Sequence, residues 1–337
     1  MNIPSRSDGP VSGHLPHIGL LRFAGADAAS FLQGQLSNDT RRLSTGAPLF
    51  AAYSTPQGRV VAVLHLLPHS SGVIALLPRE IVLPTLERLR KFVLRAKVHI
   101  EDLSEQFAVI GRHGTESFAF GELPIPDAAQ GYAERNGIGV ARVGTDPNRY
   151  WVFGSRQDLA MHGIAGNVAA ALPVSQARRV APASQAEPAQ SVEHDWRLAD
   201  IRSGLPQVYA ATREMFVAQM LNLDLIDGIS FTKGCFTGQE IIARTQHLGR
   251  IKRRLFRLRL PAGTWAIGQT VHLSDGRGGR LTELAQTGPE FEALAVLNTE
   301  ASTPGVSGGA QADAEAPTGT LIDATELPLP YSLISPS

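Results

Sequence analysis

Residues 227–250 (DGISFTKGCFTGQEIIARTQHLGR) gather the side chains best suited to chemistry. Cys235 is the one cysteine of the chain and lies between Gly234 and Gly238. Glycine admits backbone angles closed to other residues and lets a second molecule come close, so the spacing predicts a tight, accessible loop. Lys233 stands just ahead of the thiol, and a helix is expected to start near Gln239. A nearby ammonium and a helix N-terminus both favour the thiolate, the form that attacks electrophiles and binds metals. The competing reading is a buried, inert thiol, since free cysteine is among the most buried residue types. The Lys-Gly-Cys context points toward function.

Other candidates have plainer readings. Glu240 and Arg244 are spaced for an i,i+4 ion pair worth about 0.3–0.5 kcal/mol; the alternative is that Glu240 orients the loop or a ligand. His247 could act as base to Cys235, but sequence separation fixes no distance. Arg250, Lys252, Arg253, Arg254, Arg257 and Arg259 read as a solvated strand face rather than a nucleic-acid patch, because the formal net charge of the chain is zero. Trp196 reads as core packing or as a stacking platform for a flat heterocycle.

Bulk properties bound these ideas. With 337 residues, 43% hydrophobic and 18% charged, the chain can build two or three packed domains. No charge excess draws it to nucleic acid or an anionic membrane. One thiol excludes an intrachain disulfide, which fits a reducing compartment, and cannot alone hold a four-thiolate cluster or a structural zinc. No metal site is therefore expected from this chain alone. Residues 1–20 lack the apolar segment of a signal peptide, and runs such as 60–67 are too short to cross a bilayer. The expected location is cytoplasmic, with no membrane contact and no direct nucleic-acid contact.

The elements that must position these residues alternate irregularly, which predicts α+β rather than a Rossmann sheet. Residues 1–14 read as a loose leader. Strands are expected at 17–23, 49–53, 59–67, 73–77, 97–100, 107–110, 137–143, 150–153 and 229–231, with a hairpin turn at 54–58. Helices are expected up to Leu36, over 79–96, over 155–171 capped by Ser155, and over 194–202 ending at Gly204. The Ala/Pro/Gln/Ser-rich stretch at about 173–192 reads as a linker, and 302–318 as a loop. From Lys252 on, strands at 255–260, 271–273 and 291–297 around a turn at 275–279 suggest a small β-barrel or sandwich.

Residues 233–240 (KGCFTGQE) resemble the signature K-G-C-Y-x-G-Q-E of the YgfZ-type folate-binding proteins, within the glycine-cleavage T-protein (aminomethyltransferase) superfamily. Residues 25–39 resemble that family's G-x-D-x-x-x-F-L-Q-G-Q-x-x-x-D. Residues 202–206 resemble its R-x-x-G-x-P and residues 222–224 its N-L-D, while Arg244, Gly249 and residues 329–333 also look familial. The resemblance implies a ring of two α+β subdomains (residues 15–250) plus a C-terminal β-barrel (251–337) around a central folate cavity. It implies tetrahydrofolate as ligand, and Trp196, Asn38, Asp39 and Arg202 near it. A folate polyglutamate tail would then be an anionic partner for the basic cluster. It also implies support of iron–sulfur cluster assembly or repair in client enzymes such as radical methylthiotransferases that modify tRNA, with Cys235 as the key residue. Lys233 would favour its ionised form, Gly234 and Gly238 would shape the loop, and Gln239 and Glu240 would hold it.

Two departures stand out. The motif tyrosine is Phe236, and an aromatic that some members place near folate is Ile18. T-proteins that transfer a methylene group resemble G-x-x-x-D-D after the hairpin turn; here residues 58–63 read GRVVAV. Apolar side chains cannot accept a proton, so aminomethyl transfer by that route is not expected. A folate-dependent one-carbon transferase using another base is the alternative function.

Overall fold

The computed structural model describes residues 11–113, 126, 131–143, 149–164, 191–248, 251–301 and 321–333. Three sheets carry the chain. The first contains β2 (Ile18–Ala24), β3 (Leu49–Ser54), β4 (Val60–His69), β5 (Gly72–Pro78) and β6 (His99–Asp102), in the order β3-β4-β5-β2-β6. The second has the order β1-β7-β10-β9-β8, from β1 (Val11–His14), β7 (Phe107–His113), β8 (Tyr132–Arg135), β9 (Ile138–Arg142) and β10 (Arg149–Ser155). The third has the order β15-β12-β13-β14-β11-β16, from β11 (Arg253–Leu260), β12 (Thr270–Leu273), β13 (Gly278–Thr287), β14 (Glu290–Asn298), β15 (Leu321–Ile322) and β16 (Thr325–Leu327). Helices are α1 (Ala28–Gln35), α2 (Val82–Arg90), α3 (Arg156–Met161), α4 (Val192–Arg202) and α5 (Gln239–Leu248).

The first sheet is covered on both faces, so β3 is buried throughout and Val60 to Leu67 of β4 form one continuous buried run. Successive side chains point to opposite faces. Leu21, Phe23, Ala51 and Leu64 pack under α1 and α2. From the other face, Leu20, Leu67 and Leu76 meet Val109, Trp151 and Phe153 of the second sheet, together with Trp196 of α4. Phe50, Ala52 and Val63 join α4, α5 and Leu255, Leu294 and Val296 of the third sheet. These contacts make the first sheet the hub of the molecule.

Several local expectations hold. The helix near Gln239 begins there. Ser155 caps α3 by accepting from Asp158 N, and Gly204 adopts φ +63° after α4. Others need correction. Residues 11–14 of the expected leader form an edge strand paired with β7. The helix read over 79–96 is a 3₁₀ turn followed by α2, which stops at Arg90; Leu94 has φ +45°, a conformation that no α-helix continues. Residues 229–231 are irregular rather than a strand; Ser230 N donates to the carbonyl of Ser37, a residue outside any named strand. β13 is hidden in the sequence by Gly278 and Gly279, which look like turn residues. A Cβ on Gly279 would collide with Val296 O of β14, so this glycine permits close strand approach. Among the described residues the third sheet runs open from β15 to β16, a half-barrel rather than a closed one. The helix expected beyond residue 164, the linker up to residue 190 and the loop at 302–318 lie outside the described residues. At 191–192 the expected linker is instead the start of α4, with Ser191 as its N-cap.

Candidate functional site

Cys235 is exposed on the loop that leads into α5. The loop is tied along its length to the end of α1 and the residues after it. Ser37 Oγ donates to Gly228 O (2.7 Å), Ser230 N donates to Ser37 O (2.9 Å), and Thr237 N donates to Gly34 O (3.2 Å). Asn38 is buried, and its Nδ2 donates to Asp227 O (2.6 Å) and Phe50 O (2.9 Å). Between these ties, Lys233 and Phe236 turn inward while Phe231, Thr232, Gly234 and Cys235 face solvent.

Lys233 differs most from its expected role. Its ammonium donates to Gln33 O (2.7 Å), Leu36 O (2.6 Å) and Asn38 O (2.9 Å), which uses all three of its hydrogens, and it lies 4.9 Å from the centroid of Phe236. Burial lowers its pKa to about 8, with Asp39 acting in the opposite sense, so it remains mostly cationic at neutral pH. The last carbonyls of a helix lack intrahelical partners and carry the negative end of its dipole. α1 has no basic residue in its own last turn; Lys233 supplies that cation.

The two glycines also divide. Gly238 has φ +84°, and a Cβ there would meet Thr55 O at 2.6 Å. Gly58 in the hairpin turn has φ +72°, and its Cβ would meet Ile241 of α5 at 2.8 Å. The hairpin and the start of α5 therefore interlock by backbone contact. Gly234 has no left-handed φ and nothing within 4 Å of a built Cβ; it leaves the space beside Cys235 open. Thr237 Oγ1 donates to Gln35 Oε1 (3.4 Å). Gln239 ties the loop through its backbone, whose N donates to Phe236 O (3.1 Å).

The remaining candidates fall elsewhere. Glu240 and Arg244 pair at 3.3 Å on an exposed face, the plain i,i+4 reading. The side chain of His247 lies outside the described residues. Asp39 caps the 3₁₀ turn Thr40–Thr45 and binds Arg41, which holds its carboxyl well below the usual range. Arg202 grips Glu292 of β14 (2.7 Å), and Arg257 grips the same carboxylate (2.6 Å). Arg254 forms a buried pair with Asp224 (2.6 Å). The basic run entering the third sheet is thus partly an ion-pair seam rather than a solvated face; Arg250 lies outside the described residues.

Trp196 is 2% exposed. The Arg149 guanidinium sits 4.8 Å over its ring, Trp151 lies 5.9 Å away, and a Cβ on Gly111 would press its edge at 2.6 Å. This is the core-packing environment. Around it lies a polar centre that sequence reasoning missed. Arg149 is fully buried and pairs with Asp200 (2.8 Å). His65 of β4 lies between Phe50 and Trp151 and contacts Gln207 at 3.0 Å; burial, then Arg149, push its pKa down to about 3. Trp151 Nε1, Trp196 Nε1, Arg149 Nε and Nη2, and Gln207 Oε1 are buried without hydrogen-bond partners among the described residues. The signal was present as polar residues inside strand-like or helical runs, but nothing local told them from surface positions.

Among the described residues no group of three or more His, Cys, Asp or Glu could hold a metal ion, and no helix is long and apolar enough to cross a membrane.

The fold matches a solved glycine-cleavage aminomethyltransferase T from Bartonella henselae, with a TM-score of 0.59 over 86% of this chain and 78% of that one at 13% identity. The architecture is accordingly T-protein-like: mixed α+β with several sheets, one of them a half-barrel. No family model matches the chain. It is 31% identical over 245 residues to the tRNA-modifying protein YgfZ of Colwellia psychrerythraea, covering 72% of this chain and 69% of the relative. It is 31% identical over 274 residues to the protein of that name from Edwardsiella ictaluri, covering 77% and 76%. The chain belongs to the YgfZ family.

Proposed function

We propose that this chain is a tetrahydrofolate-binding accessory protein that supports assembly or repair of iron–sulfur enzymes, including tRNA-modifying methylthiotransferases, through Cys235. The observation that carries this reading is an exposed thiol on a loop pinned to the end of α1 and the residues after it, in a member of a family named for tRNA modification. The expected setting is the cytoplasm, and the partners are folate and the client enzymes.

The residues present fit folate in donor and acceptor type. The unpartnered indole N–H groups of Trp151 and Trp196, the free N–H groups of Arg149 and the Gln207 carbonyl offer a planar, polar ring several complementary contacts. Buried polar groups are ordinarily matched by protein, water or ligand. Stacking on Trp196 would need a ring face now covered by Arg149, so edge contacts suit the site better than stacking. When bound, tetrahydrofolate would supply the nitrogens, one in its reduced ring and one in the adjoining bridge, that carry one-carbon units. Asn38 acts through the loop it holds, Asp39 through the 3₁₀ turn it caps, and Arg202 through its Glu292 pair.

Aminomethyl transfer is disfavoured by the hairpin. At the two positions where T-proteins carry carboxylates, Ala62 and Val63 are buried apolar residues and leave no group there to take a proton.

The test separates two readouts. Cys235→Ala should keep tetrahydrofolate-dependent thermal stabilisation while methylthiotransferase activity in cells falls to the level of a deletion. Equal loss of both would make the thiol structural and end the proposal.

A further inference from the structure

We propose that Lys233 is a positioning residue for the Cys235 thiol, an ammonium latch seated among three carbonyls at the end of α1. The inference rests on reading Cys235 as the working group and goes beyond it, because it names what fixes the thiol in place.

Three observations support the latch. First, the donors of Lys233 are matched one for one. Gln33 O, Leu36 O and Asn38 O accept at 2.6–2.9 Å, and all three are main-chain oxygens of one short segment. The ammonium therefore reads the backbone geometry at the end of α1 and transmits it to the loop. Second, the carbonyl cage is electrically suited to a cation. It lies at the negative end of α1, a helix with no basic residue in its own last turn. Third, Lys233 is the buried side chain nearest to Cys235 in sequence on its N-terminal side, with only Gly234 between them; Phe236 anchors the other side in the core. Held on one side by Lys233 and on the other by Phe236, the segment 234–235 between them is kept on the solvent side. Since all three ammonium hydrogens are bonded to carbonyls, none is left to bond the sulfur, and this sets the latch against the expectation that Lys233 activates the thiolate directly.

The groups facing Lys233 from each packed element are the three carbonyls and the Phe236 ring; Asp39 and Arg41 are the charges that act on it from the 3₁₀ segment. Emptying the cage should leave a site shaped for a small cation with three N–H donors. Methylammonium has that chemistry. Tetramethylammonium carries the same charge with no N–H.

The experiment uses the full-length protein as wild type, Lys233→Ala, Lys233→Met and Cys235→Ala. Hydrogen exchange is read at Ser230 and Thr237, whose amides bond to Ser37 O and Gly34 O. Cys235 alkylation is followed against pH, and client methylthiotransferase activity is measured in lysates depleted of the endogenous protein. In Lys233→Ala the two amides should exchange ~10-fold or more faster, a local opening that need not unfold the domain. Client support should fall toward the Cys235→Ala level, and the pH midpoint of alkylation should stay where it was. Added methylammonium should restore exchange protection and client support in Lys233→Ala but not in Lys233→Met, whose side chain fills the hole; tetramethylammonium should restore neither. An alkylation midpoint that rises in Lys233→Ala with exchange unchanged would replace the latch by a through-space effect on the thiolate. Undiminished client support in both variants would reduce Lys233 to a stabilising residue. If Lys233→Ala does not fold, Lys233→Met decides alone: wild-type exchange and support in that variant overturn the latch. Should Cys235→Ala itself leave the clients unaffected, the functional reading of the thiol fails, while exchange and rescue still report on the latch.

Discussion

The Cys235 loop and the polar centre around Trp196 handle polar groups in opposite ways. At the loop, the buried donors of Ser37, Asn38 and Lys233 are bonded to main-chain oxygens, and Phe231, Thr232, Gly234 and the thiol face outward. At the centre, Trp151, Trp196, Arg149 and Gln207 keep buried atoms without partners among the described residues. A satisfied network fixes one geometry, whereas an unsatisfied one is costly unless something polar enters. On the proposed function, the first region presents a group and the second receives one.

The largest effect that would sharpen this contrast is at Arg149. Arg149→Met should destabilise the fold by about 3–5 kcal/mol, because it strands the Asp200 carboxylate in the interior. Urea denaturation with and without tetrahydrofolate reads it, and the variant should also lose ligand stabilisation; full retention of both would remove Arg149 from the receiving region.

A pH effect comes next. His65 is held near pKa 3 against an ordinary histidine value of 6.5. Its folded pKa is depressed, so the stability tied to its neutral form is complete above about pH 6.5 and is lost as the pH falls toward 3. Between pH 7 and 5 that amounts to about 2 kcal/mol. His14, held near 4 mainly by burial, adds in the same direction. His65→Phe should flatten the acid limb of the stability curve, and a curve parallel to wild type would show that His65 does not titrate in this window.

The smallest effects contrast the two glycines of the loop. Gly238→Ala should cost about 1–3 kcal/mol, since it forces a left-handed residue against Thr55 O. Gly234→Ala should stay within about 0.5 kcal/mol. Thermal melts of the pair check this, and equal losses would mean that the interlock with the hairpin turn is not what holds the loop. If Gly234→Ala nonetheless slows client support, its role is room beside the thiol.

Much of this was legible locally. The cap at Ser155, the hairpin turn between β3 and β4 and the start of α5 depend on neighbours a few residues away, and such signals survive in a linear chain. The site residues were legible as types, since Cys235, Lys233 and Gly238 all lie in the loop where they were expected. Their roles were less so. Gly278 and Gly279 looked like a turn and proved to be a strand under another strand, because a close backbone approach requires glycine for the same steric reason as a turn.

By itself, then, the sequence determined the mixed α+β class, the position of the thiol loop and the family signature, all of which are written in residues near one another. Only the tertiary structure decided where each side chain is aimed. The carbonyls that hold Lys233 belong to residues 33, 36 and 38, separated from it by 200, 197 and 195 positions. The partners of Trp196 come from strands β7 and β10. A hydrogen bond or an ion pair depends on distances of a few ångströms, and the linear order of the chain does not specify which distant backbone atoms come within that range.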